Sequence, residues 1–199
     1  MKRIIPLFLS LLLLTGCGGA ATDSNPPSQT HATVPTGQSN EGFGLGNIMP
    51  PMSVTTSDGE TAVLGEVLQE KKLVVLNFWY ADCIWCQREF PALELAYSKY
   101  QQDVEIFALN PLDEADVANR FWDSHDLTIP MGTCSRDMAT IFGVNGYPTS
   151  VFIDREGRIA LIHGGALTDP NDFYRLFDRF LAEDYTSQGY ESLQHLLGE

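Results

Sequence analysis

The chain has 199 residues, and its 26 acidic against 12 basic residues give a formal net charge of −14. That balance argues against nucleic acid as a partner, because binding to phosphates depends on clustered lysine and arginine. The roughly 155 residues from Leu45 onward suit one domain around a single hydrophobic core.

The first sixteen residues have the pattern of a bacterial export signal. Lys2 and Arg3 precede an apolar run of signal-peptide length, and the run ends in Leu14–Cys17, which resembles a lipobox. We therefore expect residues 1–16 to be a lipoprotein signal peptide and Cys17 to become lipid-modified. The alternative is an ordinary secretory signal with a chance cysteine. Both interpretations place the mature protein outside the cytoplasm, and the first makes it a bacterial membrane lipoprotein.

The segment 17–44 is predicted to be the lipidated N-terminus and a flexible tether. From Gly18 to about Gly42 it has almost no large apolar side chains with which to bury a core. Cleavage would remove Lys2 and Arg3, which leaves 10 basic against 26 acidic residues and a formal charge of −16. Such a surface would repel anionic headgroups, so acyl chains would hold the protein to the membrane.

The remaining pattern predicts alternating strands and helices in a domain at 45–184, followed by a C-terminal tail at 185–199. The alternation indicates a parallel crossover unit within an α/β fold whose central sheet has helices on both faces. The predicted elements are a hairpin at Met52–Val67, strands at Leu73–Trp79, Val104–Asn110, Thr149–Asp154 and Arg158–His163, and helices from Cys83 to Tyr100, at Pro111–Asp126, at Ser135–Phe142 and from Asp169 or Asn171 to Phe180.

Cys83 and Cys86 stand where the first long strand passes into a helix. The first turn of a helix supplies N–H donors and the positive end of the dipole, which stabilise a thiolate, so Cys83 is expected to be the nucleophile. Cys86, one turn onward, would attack the mixed disulfide and release the substrate. The alternatives are a structural disulfide and half of a zinc site. No metal site is predicted, because the remaining cysteine and histidines lack zinc-ligand spacing.

Three segments carry a family resemblance: Asn77–Pro91, Gly146–Thr149 and Phe152–Asp154. Together they resemble the thioredoxin-like TlpA/ResA family of membrane-tethered extracytoplasmic thiol-disulfide oxidoreductases. The resemblance implies a thioredoxin fold, in which a central mixed sheet is flanked by helices, with an N-terminal β-hairpin and a central insertion within Asn110–Ile129. It implies reduction of disulfides in exported proteins, commonly apocytochrome c.

Further expectations follow for partners and cofactors. A membrane-embedded thiol carrier would supply the electrons, and the cysteine pair would be the redox centre without a separate cofactor. We expect a monomer attached to the membrane through its lipid anchor, acting on disulfide-containing exported proteins.

Two further positions are expected to serve the chemistry. The resemblance implies a cis peptide between Tyr147 and Pro148 that presents backbone to the substrate, whereas Pro148 taken alone would be a trans proline at an edge strand. Glu89 matches the family's active-site glutamate and lies three residues after Cys86, where a carboxylate can exchange a proton with the thiols. Its alternative is a solvated glutamate on the helix surface.

Two features beside the cysteines depart from the family's pattern, namely Asp82 and the pair Ile84–Trp85 between the two cysteines. Asp82 stands where many members have an aromatic residue, and its charge is expected to disfavour the Cys83 thiolate and make the pair more reducing. The alternative role for Asp82 is a helix N-cap. Trp85, between the cysteines, is expected to be exposed and to contact substrate, whereas Trp79 is expected in the core.

Cys134 leaves an odd number of thiols in the domain. A buried, inert thiol is the common outcome for a free cysteine, and a third redox thiol is the alternative.

Three other functions also stay open for the chain. A disulfide-forming oxidase would run the same pair in the opposite direction, and a copper-binding lipoprotein would hold metal with the thiolates. A peroxidase of the peroxiredoxin group is disfavoured, because the thiols form a Cys-x-x-Cys pair.

Overall fold

A computed structural model describes residues 40–186 and Leu197. The predicted signal peptide, Cys17, most of the tether and most of the C-terminal tail therefore lie outside the described residues. Within the described part of the chain, no helix has the length and apolar character needed to cross a membrane.

The elements alternate between strand and helix through most of the domain. The strands are β1 (Ser53–Thr55), β2 (Thr61–Val63), β3 (Leu73–Phe78), β4 (Val104–Asn110), β5 (Met131–Thr133), β6 (Thr149–Asp154) and β7 (Ile159–Gly164). The helices are α1 (Leu64–Glu70), α2 (Ile84–Tyr100), α3 (Ala115–Ser124), α4 (Arg136–Ile141) and α5 (Pro170–Leu181).

The central sheet has the strand order β5-β4-β3-β6-β7. Strand β3 runs parallel to β4, and β4 runs parallel to β5. On its other side β3 is antiparallel to β6, which is antiparallel to β7. The sheet is therefore mixed, and the α/β fold with a β3-α2-β4 crossover is confirmed. The predicted N-terminal hairpin is also present, as the two-stranded sheet of β1 and β2.

Strand β3 is buried on both faces, as its continuous apolar run predicts. On one face Leu73, Val75 and the following Trp79 join a core cluster that includes side chains of α2, α3 and α5. On the other face Val74 and Leu76 belong to a second cluster with side chains of α1 and α4. Helices thus cover both faces of the sheet.

At each end of the domain, a residue just outside the predicted bounds of 45–184 contacts the rest of the structure. The ring of Phe43 packs edge-on against Phe142, with 5.0 Å between the ring centroids. At the other end Tyr185 is buried, and its hydroxyl donates to the carboxylate of Asp154 at 2.9 Å. The first contact joins the N-terminal end to the residue that caps α4, and the second joins the C-terminal end to β6.

Several predicted bounds are wrong for identifiable reasons. The hairpin ends at Val63, because buried Leu64 begins α1 instead of continuing the strand. The helix predicted from Pro111 begins only at Ala115. The side chain of Asn110 accepts from the N–H groups of Leu112 and Asp113, and this local turn competes with helix formation.

The short strand β5 was not predicted. Its middle residue, Gly132, lies so close to the hairpin that an added Cβ would stand 2.2 Å from the carbonyl oxygen of Thr55. Only glycine permits this close approach, and glycine is also a poor indicator of a strand in a sequence. Of the two N-cap residues expected for the last helix, Asp169 caps α5 and Asn171 does not.

Candidate active site

The turn between β3 and α2 brings Cys83 and Cys86 together. Helix α2 begins at Ile84, so Cys83 is the N-cap residue and its Sγ accepts from the backbone N–H of Cys86 at 3.1 Å. The two cysteines form a disulfide bond with 5.2 Å between their Cα atoms. Cys83 retains 4% exposure whereas Cys86 has none, so an attacking thiolate reaches Cys83 more readily. In the reduced protein the helix N-terminus would stabilise a Cys83 thiolate.

The loop just before Cys83 is held at both backbone groups of Ala81. Its N–H donates to the carboxylate of Asp113 at 2.6 Å, and its carbonyl accepts from the side chain of Gln87 at 2.7 Å. The same Asp113 oxygen also accepts from Asn110 at 2.8 Å. Sequence reasoning missed Asp113 and Gln87. One signal was available. Asp113 follows β4, which is parallel and adjacent to β3, the strand that ends before Cys83.

Glu89 is fully buried one helical turn after Cys86. One carboxylate oxygen accepts from the backbone N–H of Leu167 at 3.1 Å, and the other from the side chain of Asn77 at 2.9 Å. Burial raises the pKa of Glu89 to about 7, against the opposing effect of these two hydrogen bonds. The alternative of a solvated surface glutamate is therefore wrong.

A second polar contact extends this buried group. The side chain of Asn77 also donates to the hydroxyl of Ser150 at 3.0 Å, from the neighbouring strand β6. Ser150 was not among the predicted site residues. A lone serine inside an apolar strand gives little signal, because serine is common at many positions that have no chemical role.

The peptide between Tyr147 and Pro148 is cis, which confirms that expectation. The ring of Tyr147 meets the ring of Tyr80 edge-on, with 5.4 Å between the centroids. Because Tyr80 lies three residues before Cys83, this contact joins the Pro148 loop to the loop that carries the cysteines. A cleft of about 300 Å³ beside the loop is lined by Tyr147, Thr149 and several glycines.

The side chains next to the cysteines are open to solvent. Trp85 is 53% exposed and Ile84 is 55% exposed, while Trp79 is fully buried, as predicted for both tryptophans. The guanidinium of Arg88 lies 4.6 Å from the centroid of the Trp85 ring. Asp82 is also exposed, but the helix cap is Cys83, so the alternative N-cap role for Asp82 is wrong.

Cys134 is a free, half-buried thiol in the loop after β5. It packs against the core cluster on one face of the sheet, whereas Cys83 and Cys86 belong to the cluster on the opposite face. Burial raises the pKa of Cys134 to about 12, so at neutral pH it stays a protonated thiol. Its surroundings favour the inert interpretation over a third redox thiol.

Acidic and thiol side chains are not gathered into a metal site in the described residues. Between residues 40 and 186, together with Leu197, no group of three or more His, Cys, Asp or Glu side chains has an arrangement that could hold an ion.

Comparison with known proteins connects this geometry to a family. A model of the AhpC/TSA family matches residues 45–162. The thiol-disulfide oxidoreductase ResA of Halalkalibacterium halodurans is 35% identical over 115 residues, which cover 56% of this chain and 64% of that protein, just under two thirds of its length. ResA of Bacillus thuringiensis subsp. konkukian is 32% identical over 162 residues, which cover 80% of this chain and 87% of that protein.

A solved structure supports the fold. The crystal structure of StoA from Bacillus subtilis superposes with a TM-score of 0.54 at 21% identity, and the match covers 63% of this chain and 95% of that one. At this identity the likeness shows the fold alone, which is the thioredoxin fold.

Proposed function

The chain belongs to the AhpC/TSA family and is a thiol-disulfide oxidoreductase, and we propose that its Cys83–Cys86 pair reduces disulfide bonds of exported proteins. The observation that carries this proposal is the position of Cys83 at the N-cap of α2 with Glu89 buried one turn beyond Cys86. The arrangement supplies a nucleophile, a resolving thiol and a proton acceptor within two turns of one helix.

The proposed reaction has two thiol exchanges. The Cys83 thiolate attacks one sulfur of the substrate disulfide, and the other substrate sulfur leaves as a thiolate that takes a proton. Cys86 then loses its proton and attacks Sγ of Cys83, which releases the second substrate thiolate. The substrate gains two electrons and two protons, and the protein is left with the Cys83–Cys86 disulfide.

Glu89 is the proposed base for the second exchange. Its burial holds the pKa at about 7, where a carboxyl group can both take and return a proton near neutral pH. Cys86 has no exposure, so water has poor access to its thiol and an internal proton acceptor is needed. The Leu167 N–H holds the carboxylate in place.

Substrate binding is proposed at the exposed side chains around Cys83. The Pro148 loop would offer its backbone to an extended polypeptide, and the exposed face of Trp85 would pack against apolar side chains of a partly unfolded substrate. Trp85 lies between the two cysteines, and the Pro148 loop contacts the cysteine loop through the rings of Tyr147 and Tyr80.

The cellular setting is proposed from the first residues. The positive and apolar N-terminal segment ending in Cys17 supports export and lipid anchoring at the outer side of a bacterial membrane. A membrane-embedded thiol carrier would return electrons to the disulfide, and apocytochrome c is a candidate among the exported substrates. We propose that the anchored protein acts as a monomer.

Two other uses of the thiols are distinguished by simple measurements. A disulfide-forming oxidase would have a more positive reduction potential than a reductase. A copper-binding lipoprotein would retain stoichiometric copper and fail to reduce insulin. The buried carboxylate of Glu89, one helical turn after Cys86, favours exchange chemistry over metal storage, because it provides a proton acceptor that copper binding does not require.

The test is reduction of insulin disulfides by the full chain, with dithiothreitol as electron source. The Cys86→Ala variant should accumulate mixed disulfides with exported proteins through Cys83, whereas the control Cys134→Ala should retain full insulin reduction. Loss of reduction in the Cys134→Ala variant, or no mixed disulfide with Cys86→Ala, would contradict the proposal.

A further inference from the structure

The cleft beside the Pro148 loop lies where one position of the sheet lacks a side chain. Gly164 and Thr149 are register partners on β7 and β6, so a side chain at 164 would stand on the same face of the sheet as that of Thr149. A Cβ added to Gly164 would contact the hydroxyl oxygen of Thr149 at 3.8 Å, an ordinary van der Waals distance. Both residues line the cleft of about 300 Å³, which we call the Gly164 cleft.

The Gly164 cleft opens on the face of the sheet opposite to the cysteines. Ile162 lines the cleft and packs against the core cluster that contains Val151, whereas Cys83 and Cys86 belong to the cluster on the other face. Gly164 is exposed and Ile162 is half-buried, so the cleft is open to solvent. A larger residue at 164 would therefore fill the cleft without meeting the cysteines.

Hydrogen bonds hold both walls of the cleft in place. The backbone N–H of Gly165 donates to the carbonyl of Pro148 at 2.9 Å. The hydroxyl of Thr149 donates to the carbonyl of Gly146 at 2.8 Å. The cleft is thus formed before anything binds, and a preorganised site spends little binding energy on ordering its own groups.

The lining of the cleft suits an apolar group. Among the described residues that line it, none has a charged side chain, in a protein whose formal net charge is −14. The side-chain amide of Asn145 donates to the carbonyl of Gly143 at 3.0 Å, within the loop itself. A charged group would find no opposite charge in the cleft, whereas an apolar group would gain from leaving water. The volume lies at the lower end of the range for ligand pockets, roughly 300–1,000 Å³, which suits a group of side-chain size.

Tyr147 connects the cleft to substrate binding. It lines the cleft, it forms the cis peptide with Pro148, and its ring contacts Tyr80 three residues before Cys83. A polypeptide bound along this peptide would bring the residues that flank its reacting cysteine to the cleft. Because side chains alternate between two sides of an extended chain, one flanking side chain would face the cleft.

We propose that the Gly164 cleft binds one large apolar side chain, such as Phe or Leu, that flanks the reacting cysteine of a substrate. This rests on the proposed function, in which Cys83 attacks a disulfide of an exported protein. Gly164 is then a specificity-determining residue, because the absence of its side chain leaves room for that of the substrate.

Peptides with one internal disulfide test the proposal. The residue beside each cysteine is in turn Phe, Leu, Ala or Asp, and the reduced full chain in detergent micelles, freed of excess reductant, is mixed with each peptide. Thiol trapping gives the rate constant, which is divided by that of the same peptide with dithiothreitol to remove differences in intrinsic reactivity. At one flanking position we expect Phe and Leu to exceed Ala and Asp by about tenfold, a discrimination typical of apolar pockets.

The peptide series separates the two proposals. Equal normalised rates for all four residues would overturn the role of the cleft and leave the reductase intact. Failure of the reduced chain to reduce any of the peptides would overturn both.

A variant that fills the cleft locates the preference. Gly164 lacks the positive φ of Gly165, so valine fits its backbone, and Gly164→Val should bring the ratio of Phe to Ala rates close to one. Gly65 on α1 is the matched control, because a Cβ there also meets open space, and Gly65→Val should keep the tenfold ratio. A ratio that survives in Gly164→Val, or disappears in Gly65→Val, would overturn the proposal.

A trapped complex locates the substrate side chain with the cleft unchanged. Cys83 of the Cys86→Ala variant displaces thionitrobenzoate from a Phe peptide with a single activated cysteine, which leaves a stable mixed disulfide. We expect nuclear Overhauser contacts between the phenylalanine ring and the methyl groups of Ile162. A ring that contacts another surface and not Ile162 would overturn the proposal, even if Gly164→Val does not fold.

Discussion

The carboxylate of Asp113 accepts a hydrogen bond from the backbone N–H of Ala81 at 2.6 Å, although 32 positions separate the two residues. Ala81 lies two residues before Cys83, and Gln87 holds its carbonyl from the other side. The turn that positions the nucleophile is therefore fixed from the loop after β4 as well as from α2.

Replacement of Asp113 should loosen this turn. We expect Asp113→Ala to lower the free energy of unfolding by about 1–3 kcal/mol, because it leaves the Ala81 and Asn110 donors without their acceptor. Asp113→Asn keeps an acceptor oxygen and should lose less. Chemical denaturation measures both, and alkylation of reduced Cys83 reports the position of the turn.

Asp116 provides the matched control. Its carboxylate pairs with Arg120 at the surface, with both side chains 68% exposed. Asp116→Ala should change the free energy of unfolding by less than about 1 kcal/mol. Equal losses in Asp113→Ala and Asp116→Ala would show that the Ala81 contact does not stabilise the turn.

Glu89 should make the stability of the oxidised protein depend on pH. Burial raises its pKa from 4.5 to about 7, so the folded state binds the proton more tightly than the unfolded chain. This contribution is fully present below pH 4.5 and is lost as the pH rises to about 7, a change of roughly 3 kcal/mol. Glu89→Gln should lack this component of the pH dependence in denaturant titrations.

The same variant tests the proton acceptor role. In the wild-type protein, the rate of thiol exchange should rise with pH in a step whose apparent pKa is near that of Glu89. The Glu89→Gln variant should lack this step. The exposed Glu66 on α1 offers a control, since Glu66→Gln should keep the wild-type profile. Superimposable profiles for wild type and Glu89→Gln would remove Glu89 from the mechanism.

Trp85 should contribute to substrate binding more than to stability. With 53% of its surface exposed, its replacement by alanine should raise KM for a polypeptide substrate severalfold and leave the unfolding free energy nearly unchanged. Leu95, 56% exposed on the same helix but farther from the cysteines, is the control. A comparable rise in KM for Leu95→Ala would indicate a general effect of lost apolar surface.

Asp82 should lower the reduction potential of the cysteine pair. Its charge beside Cys83 disfavours the thiolate, so Asp82→Asn should stabilise the reduced form and raise the potential, by on the order of 20 mV. Equilibration with glutathione buffers measures the shift, with the exposed Asp123→Asn on α3 as control. A lower potential for Asp82→Asn would show that the sign of the effect is wrong.

Cys134 should stay outside the redox cycle. Its pKa of about 12, raised by burial, predicts slow alkylation of the folded protein at pH 8, and Cys134→Ala should leave the potential unchanged. Mass mapping of the oxidised protein should find Cys83 linked to Cys86 with Cys134 free. A disulfide that includes Cys134 would instead assign it a redox role.

The elements that the sequence predicts best are those whose signal is local. The apolar run of β3 and the Cys-x-x-Cys pair at its end place the thiols at a helix start, and the motif around Pro148 predicts the cis peptide. Asp113 and Ser150 escaped prediction because their partners, Ala81 and Asn77, are 32 and 73 positions away. Such contacts depend on strand order, which the local pattern does not define.

Glu89 is an intermediate case. Helical spacing places it on the same side of α2 as Cys86, yet a charged residue is usually exposed. Its burial follows from the loop at Leu167, which closes over the carboxylate and supplies a backbone N–H. That loop follows β7, which lies at one edge of the sheet. Its approach to α2 therefore could not be read from either segment alone.

The reduction potential of the Cys83–Cys86 pair tests the proposed direction of the chemistry most directly. Redox equilibration of the full chain, followed by quantitative trapping of the two thiols, gives the midpoint. A reductase should have a potential nearer to that of thioredoxin, about −270 mV, than to that of a strong oxidant. A midpoint near −120 mV, about that of the oxidant DsbA, would contradict a reductase and assign the pair to disulfide formation.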